Sequence, residues 1–404
     1  MAEIPDREAP VAPVHSAALR ADAPVPNSDS DTDPDVQWMA RAQGLAAKAV
    51  GVCEPNPRVG CVLVGADGLE IGVGSTQQAG GPHAEIMALR DAQSRGHSIA
   101  GATVYATLEP CSHHGRTPPC CDALVQAGVR RVVASLVDPN PKIAGSGIAR
   151  LRAAGVEVRV GPGADAAREL NIGFFSRMLR QRPWVRMKIA ASLDGVTALE
   201  NGRSQWITSK EARADGHAWR ARASAVLTGI GTVLEDDPSL DVRLVAVQNQ
   251  PALVVVDSQL QLPLQARLFS ARRVLLVYAA HADPPKVAAL EARGAKVALL
   301  PAPAGSGRSK VDLAHMLVEL ALRHEVNELH VEAGHKLNGS LLRAGLVDEL
   351  LVYLAPKMIG PGRAMAALDP LASLVDVRQL QFRSAAMVGP DLRLLARTCQ
   401  EPWF

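Results

Sequence analysis

Aromatic side chains are scarce in this 404-residue chain, where Phe, Tyr and Trp together make up 3%. Proteins that stack single-stranded bases need a supply of such rings, so that class of partner is disfavoured. Charge of one sign is also missing as a block. Against 43 Lys and Arg stand 41 Asp and Glu, and no segment concentrates the basic residues that a phosphate backbone requires. No apolar run approaches the roughly 18 residues of a membrane helix. The N-terminus lacks the basic start and apolar stretch of a secretory signal. Six cysteines in a chain of this length do not form a secreted disulfide framework. The grouping of Cys111, Cys120 and Cys121 points instead to metal ligation in a reducing compartment. The expectation is a cytoplasmic protein that handles a small molecule, with no nucleic acid and no membrane as partner, and with homo-oligomerisation left open.

What is present is an ordinary globular composition, 48% apolar and 21% charged, in a chain too long for one core. Residues 1–35 are rich in Ala, Pro, Ser and Asp. They can bury too little to offset the entropy of ordering, which predicts a disordered extension. From Val36 the pattern changes. A helix is expected over 36–50 with Asp35 as its N-cap, then strands over 59–64 and 69–73 joined by a turn at Asp67-Gly68. Helices follow near 83–95, 119–126, 148–154 and 164–179, and strands near 104–107, 131–137 and 156–160. Gln181-Arg-Pro183 breaks the chain and sets the expected boundary between domains 36–181 and 182–404. The second half alternates again, with strands near 185–191, 225–228, 253–257, 274–278, 296–300, 328–332 and 350–354. Its helices fall near 210–222, 286–293, 312–323 and 337–344. Alternation of this kind implies two α/β domains with covered sheets.

The chemistry concentrates in Pro82-His83-Ala84-Glu85, Glu109-Pro110-Cys111 and Pro118-Pro119-Cys120. One imidazole and two thiolates give Zn²⁺ three protein ligands and leave a fourth position for water, which is the catalytic arrangement. Metal-bound water ionises near pH 7. Glu85, two residues beyond His83 at a helix start, faces away from the metal yet can reach that water. It is the expected proton carrier, as in zinc deaminases of bases. Cys120 falls in a first helical turn, where free N–H groups favour a thiolate. Cys121 reads as packing.

The second half offers weaker signals. No Gly-x-Gly-x-x-Gly follows a first strand, so a standard dinucleotide fold is not indicated. Thr228-Gly-Ile-Gly231-Thr232 and Glu332-Ala-Gly-His-Lys-Leu-Asn-Gly-Ser340 each follow a strand, and the second leads into a helix whose free N–H groups suit a phosphate.

Eight residues separate Cys111 from Cys120, unlike the Pro-Cys-x-x-Cys of cytidine and tRNA adenosine deaminases. With Pro55-Asn-Pro-Arg-Val-Gly60 and Asp138-Pro-Asn-Pro141, this insertion resembles the bacterial bifunctional riboflavin biosynthesis deaminase–reductase family. Lys188-Ile-Ala-Ala-Ser-Leu-Asp-Gly195, Ser204-Gln-Trp-Ile-Thr208, Leu234-Glu-Asp-Asp-Pro238 and Val331-Glu-Ala-Gly334 resemble its reductase half. The likeness implies an N-terminal cytidine-deaminase-like α/β/α sandwich and a C-terminal dihydrofolate-reductase-like α/β domain. It implies Zn²⁺ and NADPH as cofactors and an aminopyrimidine ribonucleotide as substrate. The zinc site would be His83, Cys111 and Cys120, with Glu85 catalytic. NADPH contacts would fall on Ala190, Trp206, Thr232, Asp236, Ser258 and the loop Gly334, His335, Lys336, Leu337, Asn338, Gly339 and Ser340. Substrate contacts would fall on Asn56 in the deaminase half and on Ser204, Arg220, Leu240, Arg243 and Glu332 in the reductase half. Two other readings remain at this point: a deaminase acting on an RNA base, and a second half that only binds or oligomerises.

Overall fold

The computed structural model describes residues 33–114, 118–303 and 310–398. They form two compact units, one from residues 33–184 with 314–329, the other from 185–313 with 330–398. Most of the predicted extension 1–35 lies outside the described residues. Among the described residues no helix is long and apolar enough to cross a membrane.

The first unit runs α1 (Pro34–Ala46), β1 (Gly60–Val64), β2 (Glu70–Ser75), α2 (Ala84–Ser94), β3 (Thr103–Ala106), α3 (Cys120–Gln126), β4 (Arg131–Ala134), α4 (Ser146–Ala153), β5 (Glu157–Val160), α5 (Ala164–Leu170) and α6 (Ile172–Arg180). Its sheet has the order β2-β1-β3-β4-β5. Strand β1 is antiparallel to both neighbours, with Cys61 opposite Ala106, while β3, β4 and β5 are parallel. The period of two along β1 assigns the layers. Cys61 and Leu63 enter a core with Ala84, Ala88 and Ala92 of α2 and Leu124 of α3, whereas Val62 and Val64 enter one with Met39, Ala42 and Leu45 of α1. Both faces are covered, which is why β1 is apolar throughout.

Two helix expectations need correction. Helix α1 begins at Pro34 and is capped by Asp33, whose Oδ1 accepts the Asp35 N–H at 2.9 Å. Asp35 is instead buried. It accepts from Arg131 at 2.7 and 2.8 Å and from Tyr105 Oη at 3.0 Å, and also pairs with Arg159. These bonds pull its carboxyl down to about 2, the Arg131 contact foremost. The single helix expected over 164–179 is two, broken at Asn171, whose side chain brackets Arg58 by accepting its N–H at 2.7 Å and donating to its carbonyl at 2.9 Å. Asn171 stands at φ −107°, ψ 19°, off helical dihedrals, and serves as the shared cap of both helices.

The second unit contains β6 (Trp184–Ser192), β7 (Val196–Leu199), α7 (Lys210–Arg222), β8 (Ala225–Gly229), α8 (Ile230–Asp236), β9 (Ala252–Val256), β10 (Leu275–Ala279), α9 (Pro284–Ala292) and β11 (Ala295–Leu299). Helix α10 (Leu313–Arg323) groups with the first unit from residue 314 onward. Then come β12 (Glu328–Val331), α11 (His335–Arg343), β13 (Glu349–Ala355), β14 (Gly362–Ala364), β15 (Leu380–Val388) and β16 (Asp391–Thr398). The nine-stranded sheet has the order β11-β10-β9-β8-β12-β6-β13-β16-β15. Strands β8 to β11 are parallel neighbours, and β6 is parallel to β13, whereas β16 and β15 add an antiparallel edge. That edge hairpin was not anticipated. Strand β15 is half or fully exposed along its length and so lacks a strong apolar alternation.

Candidate active sites

In the first unit three elements converge. Hairpin β1–β2 leads into α2, whose N-cap position His83 occupies in extended conformation (ψ 168°) without a side-chain capping bond, so its ring is not engaged by the helix start. Cys111 follows β3 on the turn after Pro110, and Cys120 opens α3. His83 Nδ1 stands 3.5 Å from Cys111 Sγ and 3.4 Å from Cys120 Sγ, and all three ligand atoms lie within 4.8 Å of one another. Zn–N and Zn–S bonds of about 2.05 and 2.3 Å at a tetrahedral angle require an N···S separation of about 3.6 Å. The donor set and its spacing fit that ion. The first N–H of α3, from Cys120, is directed at Cys111 Sγ at 3.3 Å. This revises the expectation that the helix start favours the Cys120 thiolate. Hydrogen bonds from the Cys120 thiol, then from His83 and the Cys120 amide, pull Cys111 down to about 4, and Cys120 is correspondingly raised by its bond to Cys111.

Glu85, in the first turn of α2, is buried at 4% exposure. Burial, followed by the negative charge of Cys111, pushes its carboxyl up to about 7. It lines a cleft of about 370 Å³ together with His83, Cys111, Asn56 and His113, within the size range of small-ligand sites. Residues 115–117 of the inter-cysteine insertion lie outside the described residues. Sequence reasoning gave no role to Asp138, Asn140, Arg177 or Glu325, which also line the cleft. Burial pushes the Asp138 carboxyl up to about 6. The Asp138-Pro-Asn-Pro141 motif was the available signal for the first two. Glu325 is far along the chain and carried none.

In the second unit the expected residues fall into two groups. One surrounds Glu332, which follows β12. Arg220 of α7 grips it with two prongs, Nε to Oε1 at 2.6 Å and NH2 to Oε2 at 3.0 Å, and a third N–H reaches the Asp241 carbonyl. Lys188 Nζ lies 3.9 Å from Oε2 and His330 Nε2 lies 3.5 Å from Oε1. Burial alone would raise Glu332, but Arg220, then Lys188 and His330, outweigh it and hold the carboxylate ionised. The Arg220 fork, expected to face a sugar phosphate, is thus engaged by Glu332. Arg243, with its side chain 53% exposed, pairs with Asp241 at 2.8 Å. Leu240 turns the intervening loop at φ +50°.

The other group surrounds the start of α11. The helix begins at His335 rather than Leu337, so the expected loop 334–340 is an N-cap, Gly334, followed by helix. No side chain caps it, which leaves its first N–H groups available to a phosphate. A Cβ on Gly334 would stand 3.7 Å from Thr232 Oγ1, and one on Gly229 would stand 3.1 Å from Leu337. Both glycine-bearing segments therefore meet, and the cradle suits a nucleotide cofactor. Asn338 and Gly339 are turned the other way: Asn338 Nδ2 donates to the Met365 carbonyl at 3.0 Å, and Gly339 lies against Ala367. Asp236 is hydrogen-bonded by Ser204. Ala190 is half-buried on β6, and Ser258 Oγ accepts the Val311 N–H at 3.3 Å. Trp206 is 61% exposed, with the Arg213 guanidinium 4.4 Å from its ring centroid.

Fold and site together define a two-domain α/β enzyme, a zinc-binding deaminase joined to a reductase. Residues 32–136 match the family model of the cytidine and deoxycytidylate deaminase zinc-binding region, and residues 183–394 match that of the RibD C-terminal domain. The chain is 44% identical over 369 residues to the riboflavin biosynthesis protein RibD of Escherichia coli K12, covering 89% of this chain and 98% of that protein. It is 39% identical to that of Aquifex aeolicus, covering 89% and 97%. Acinetobacter baumannii RibD superposes with a TM-score of 0.82 at 38% identity over 91% of this chain and 99% of that one. A deaminase/reductase from Thermotoga maritima superposes at 0.79 with 32% identity over 91% and 99%. The chain belongs to the RibD family of bifunctional deaminase–reductases of riboflavin biosynthesis. Both sequence alternatives, an RNA-base deaminase and a second half without catalysis, give way to this assignment.

Proposed function

We propose that the cleft of the first unit deaminates 2,5-diamino-6-ribosylamino-4(3H)-pyrimidinone 5′-phosphate. The second unit then reduces the ribosyl group of the product with NADPH to a ribityl chain, giving 5-amino-6-ribitylamino-uracil 5′-phosphate. The observation that carries the reading is the triangle of His83, Cys111 and Cys120 beside the buried Glu85. A relative of the same two-unit architecture, from Thermotoga maritima, is described as a diaminohydroxyphosphoribosylaminopyrimidine deaminase and 5-amino-6-(5-phosphoribosylamino)uracil reductase.

His83, Cys111 and Cys120 would hold the zinc. When bound, the ion supplies a water acidic enough to yield hydroxide at neutral pH. Glu85 would carry two protons in turn, the first from the attacking water to the ring nitrogen and the second from the added hydroxyl to the departing amine, which leaves as ammonia. Its place in the first turn of α2, buried and lining the cleft beside His83 and Cys111, suits that exchange. Asn56 orients the pyrimidine from the cleft wall.

In the second unit Thr232, Asp236, Ser258, Ala190, Trp206 and the start of α11 from Gly334 to Leu337 would hold NADPH, which supplies the hydride, whereas Asn338 and Gly339 face Met365 and Ala367. Ser204, Leu240, Arg243 and the Arg220–Glu332 pair would hold the phosphoribosyl side chain. On this reading residues 36–181 form the deaminase half and 182–404 the reductase half, apart from 314–329, which group with the first unit and bring Glu325 to its cleft. The setting is the cytoplasm and the assembly is a homo-oligomer. Strand β15 supports this reading, because among the described residues it ends the sheet, with Phe382 69% and Met387 65% exposed, and such an edge is a template for pairing with a second copy about a two-fold axis.

The test is to incubate the protein with the diaminopyrimidine nucleotide and NADPH and to identify products by mass. The expected sequence is exchange of an amino nitrogen for oxygen with ammonia release, then gain of two hydrogens with NADPH consumption. Reduction without deamination, or deamination of tRNA in preference to the free nucleotide, overturns it. Light scattering across a concentration series, with Phe382→Glu as comparison, tests the assembly.

A further inference from the structure

We propose that Glu109 is a positioning residue for deamination: its buried carboxylate fixes the Cys111 turn to the segment that carries Asp138 and Asn140 into the cleft. The inference rests on the deaminase reading of that cleft. Glu109 ends the chain between β3 and Cys111 and is 5% exposed. Its two oxygens collect four backbone N–H groups. Oε1 accepts from Gly147 at 2.7 Å and Ile148 at 3.1 Å, at the start of α4. Oε2 accepts from Gly145 at 2.9 Å and Asp138 at 3.0 Å. Its own N–H donates to the Leu136 carbonyl at 2.9 Å, so both sides of the residue are tied to the strand–loop–helix run 136–148.

The adjoining residues complete the clamp. The Pro110 carbonyl accepts from Cys121 Sγ at 3.1 Å, and the Cys111 carbonyl accepts the Cys121 N–H at 3.1 Å. Gly147 approaches so closely that a Cβ there would stand 2.0 Å from the Pro110 oxygen. Cys111 is thus held from α3 on one side and from α4, through Glu109, on the other. The same carboxylate holds the first residue of Asp138-Pro-Asn-Pro141, whose Asp138 and Asn140 line the cleft. One side chain therefore links the expected metal ligand to a substrate-facing loop.

A carboxylate is the group that fits, because four converging donors need two oxygens with four lone pairs between them. A carboxamide offers one oxygen, and its NH₂ confronts two of the donors, leaving buried amides without an acceptor. Glu109→Gln is nearly isosteric and removes the arrangement without opening a cavity.

The experiment compares wild type, Glu109→Gln and Glu109→Asp in the full-length protein. Three properties are read: metal content, the visible spectrum of the Co²⁺-substituted protein, and kcat and KM for deamination. Reductase turnover on the pre-deaminated nucleotide is the folding control. Glu109→Gln should bind one metal per chain and keep reductase turnover. Its cobalt band should shift, because Cys111 moves, and kcat/KM for deamination should fall about 10- to 100-fold, the range for partners of ligating residues. Part of the fall should appear in KM, because the Asp138 loop moves with it. Glu109→Asp, which keeps the charge, should recover part of the loss. An unchanged cobalt spectrum with unchanged kcat and KM overturns the proposal. So does a parallel fall of reductase, metal content and deaminase, which marks a purely structural residue. A wild-type protein that binds metal but releases no ammonia overturns the deaminase reading itself, and this proposal with it.

Discussion

At the residue scale the proposed reading divides the labour of the deaminase site between side chains that would hold the metal and one that would move protons, and substitution separates the two. Glu85→Gln keeps size and hydrogen bonding but cannot carry a proton. It is expected to retain one zinc per chain while kcat for deamination falls about 10²- to 10⁴-fold. Cys111→Ser removes a soft ligand and should lose metal and activity together. Metal analysis beside an ammonia assay distinguishes the pair, and full activity in Glu85→Gln would remove its proton-carrying role. A second residue-scale consequence lies in the other unit. His217 is buried, accepts the Arg243 N–H through Nδ1 at 3.2 Å, and is pushed down to about 3 by burial, then by Arg220 and Arg243. It is neutral when folded, whereas the unfolded chain takes up a proton below about 6.5. Unfolded protein then binds more protons, so stability falls as pH drops from about 6.5 towards 3, by about 1.4 kcal/mol per pH unit for this group. Urea unfolding followed at pH 7 and pH 5 should show His217→Gln losing about 2 kcal/mol less than wild type. Equal losses would mean that His217 is already charged in the folded protein.

At the element scale the site depends on how closely a helix can lie on a sheet. Gly72 and Gly74 on β2 face α2. A Cβ at Gly74 would stand 2.1 Å from the carbonyl of Ala84, the residue between His83 and Glu85. Gly74→Ala must therefore push the start of α2 away by an appreciable fraction of an ångström or more. Misplacement on that scale costs about 100-fold in rate, and overpacking about 1–3 kcal/mol in stability. Gly44→Ala, in α1 with nothing within 4 Å of its Cβ, is the control and should stabilise by about 0.5–1 kcal/mol. Deaminase kinetics and thermal unfolding of both variants check this; unchanged kinetics in Gly74→Ala would show that α2 can shift without cost. The helices and strands around this contact were readable because apolar periodicity and glycine punctuation agree there. Two features were not. The Asn171 break depends on an Arg58 more than a hundred residues away, and the β15–β16 edge has too little buried surface to impose an alternation. The misplaced cap of α1 has a similar origin. Asp33 and Asp35 look equivalent in sequence, and Arg159 reaches both; the distant Arg131 and Tyr105 separate the cap from the buried acceptor.

At the scale of the whole molecule the convergence of His83, Cys111 and Cys120 beside a buried Glu85 was legible because their spacing follows the chemistry expected of them. Glu325 and Arg177, which line the same cleft, were not, since nothing local to either residue announces the other. The Arg220–Glu332 pair shows the limit from the opposite side. Each residue could be proposed from likeness, but that the fork is occupied by Glu332 rather than open to a phosphate is a property of the folded chain. Division into two units, each with its own core and its own site residues, has a chemical consequence. A chelator that strips a three-ligand metal site acts on His83, Cys111 and Cys120, whereas hydride transfer from NADPH needs no zinc. Protein treated with dipicolinate and freed of it should release no ammonia from the diaminopyrimidine nucleotide and, given that nucleotide alone, should leave NADPH unconsumed. Supplied with the pre-deaminated nucleotide, the same sample should oxidise NADPH at the untreated rate. Zn²⁺ added back should restore the full sequence. If the metal-free protein also fails on the pre-deaminated nucleotide, the zinc centre supports the reductase as well, and the two activities are not independent. If instead it reduces the untreated diaminopyrimidine, the reductase does not require prior deamination and the order of steps is set by something other than its specificity.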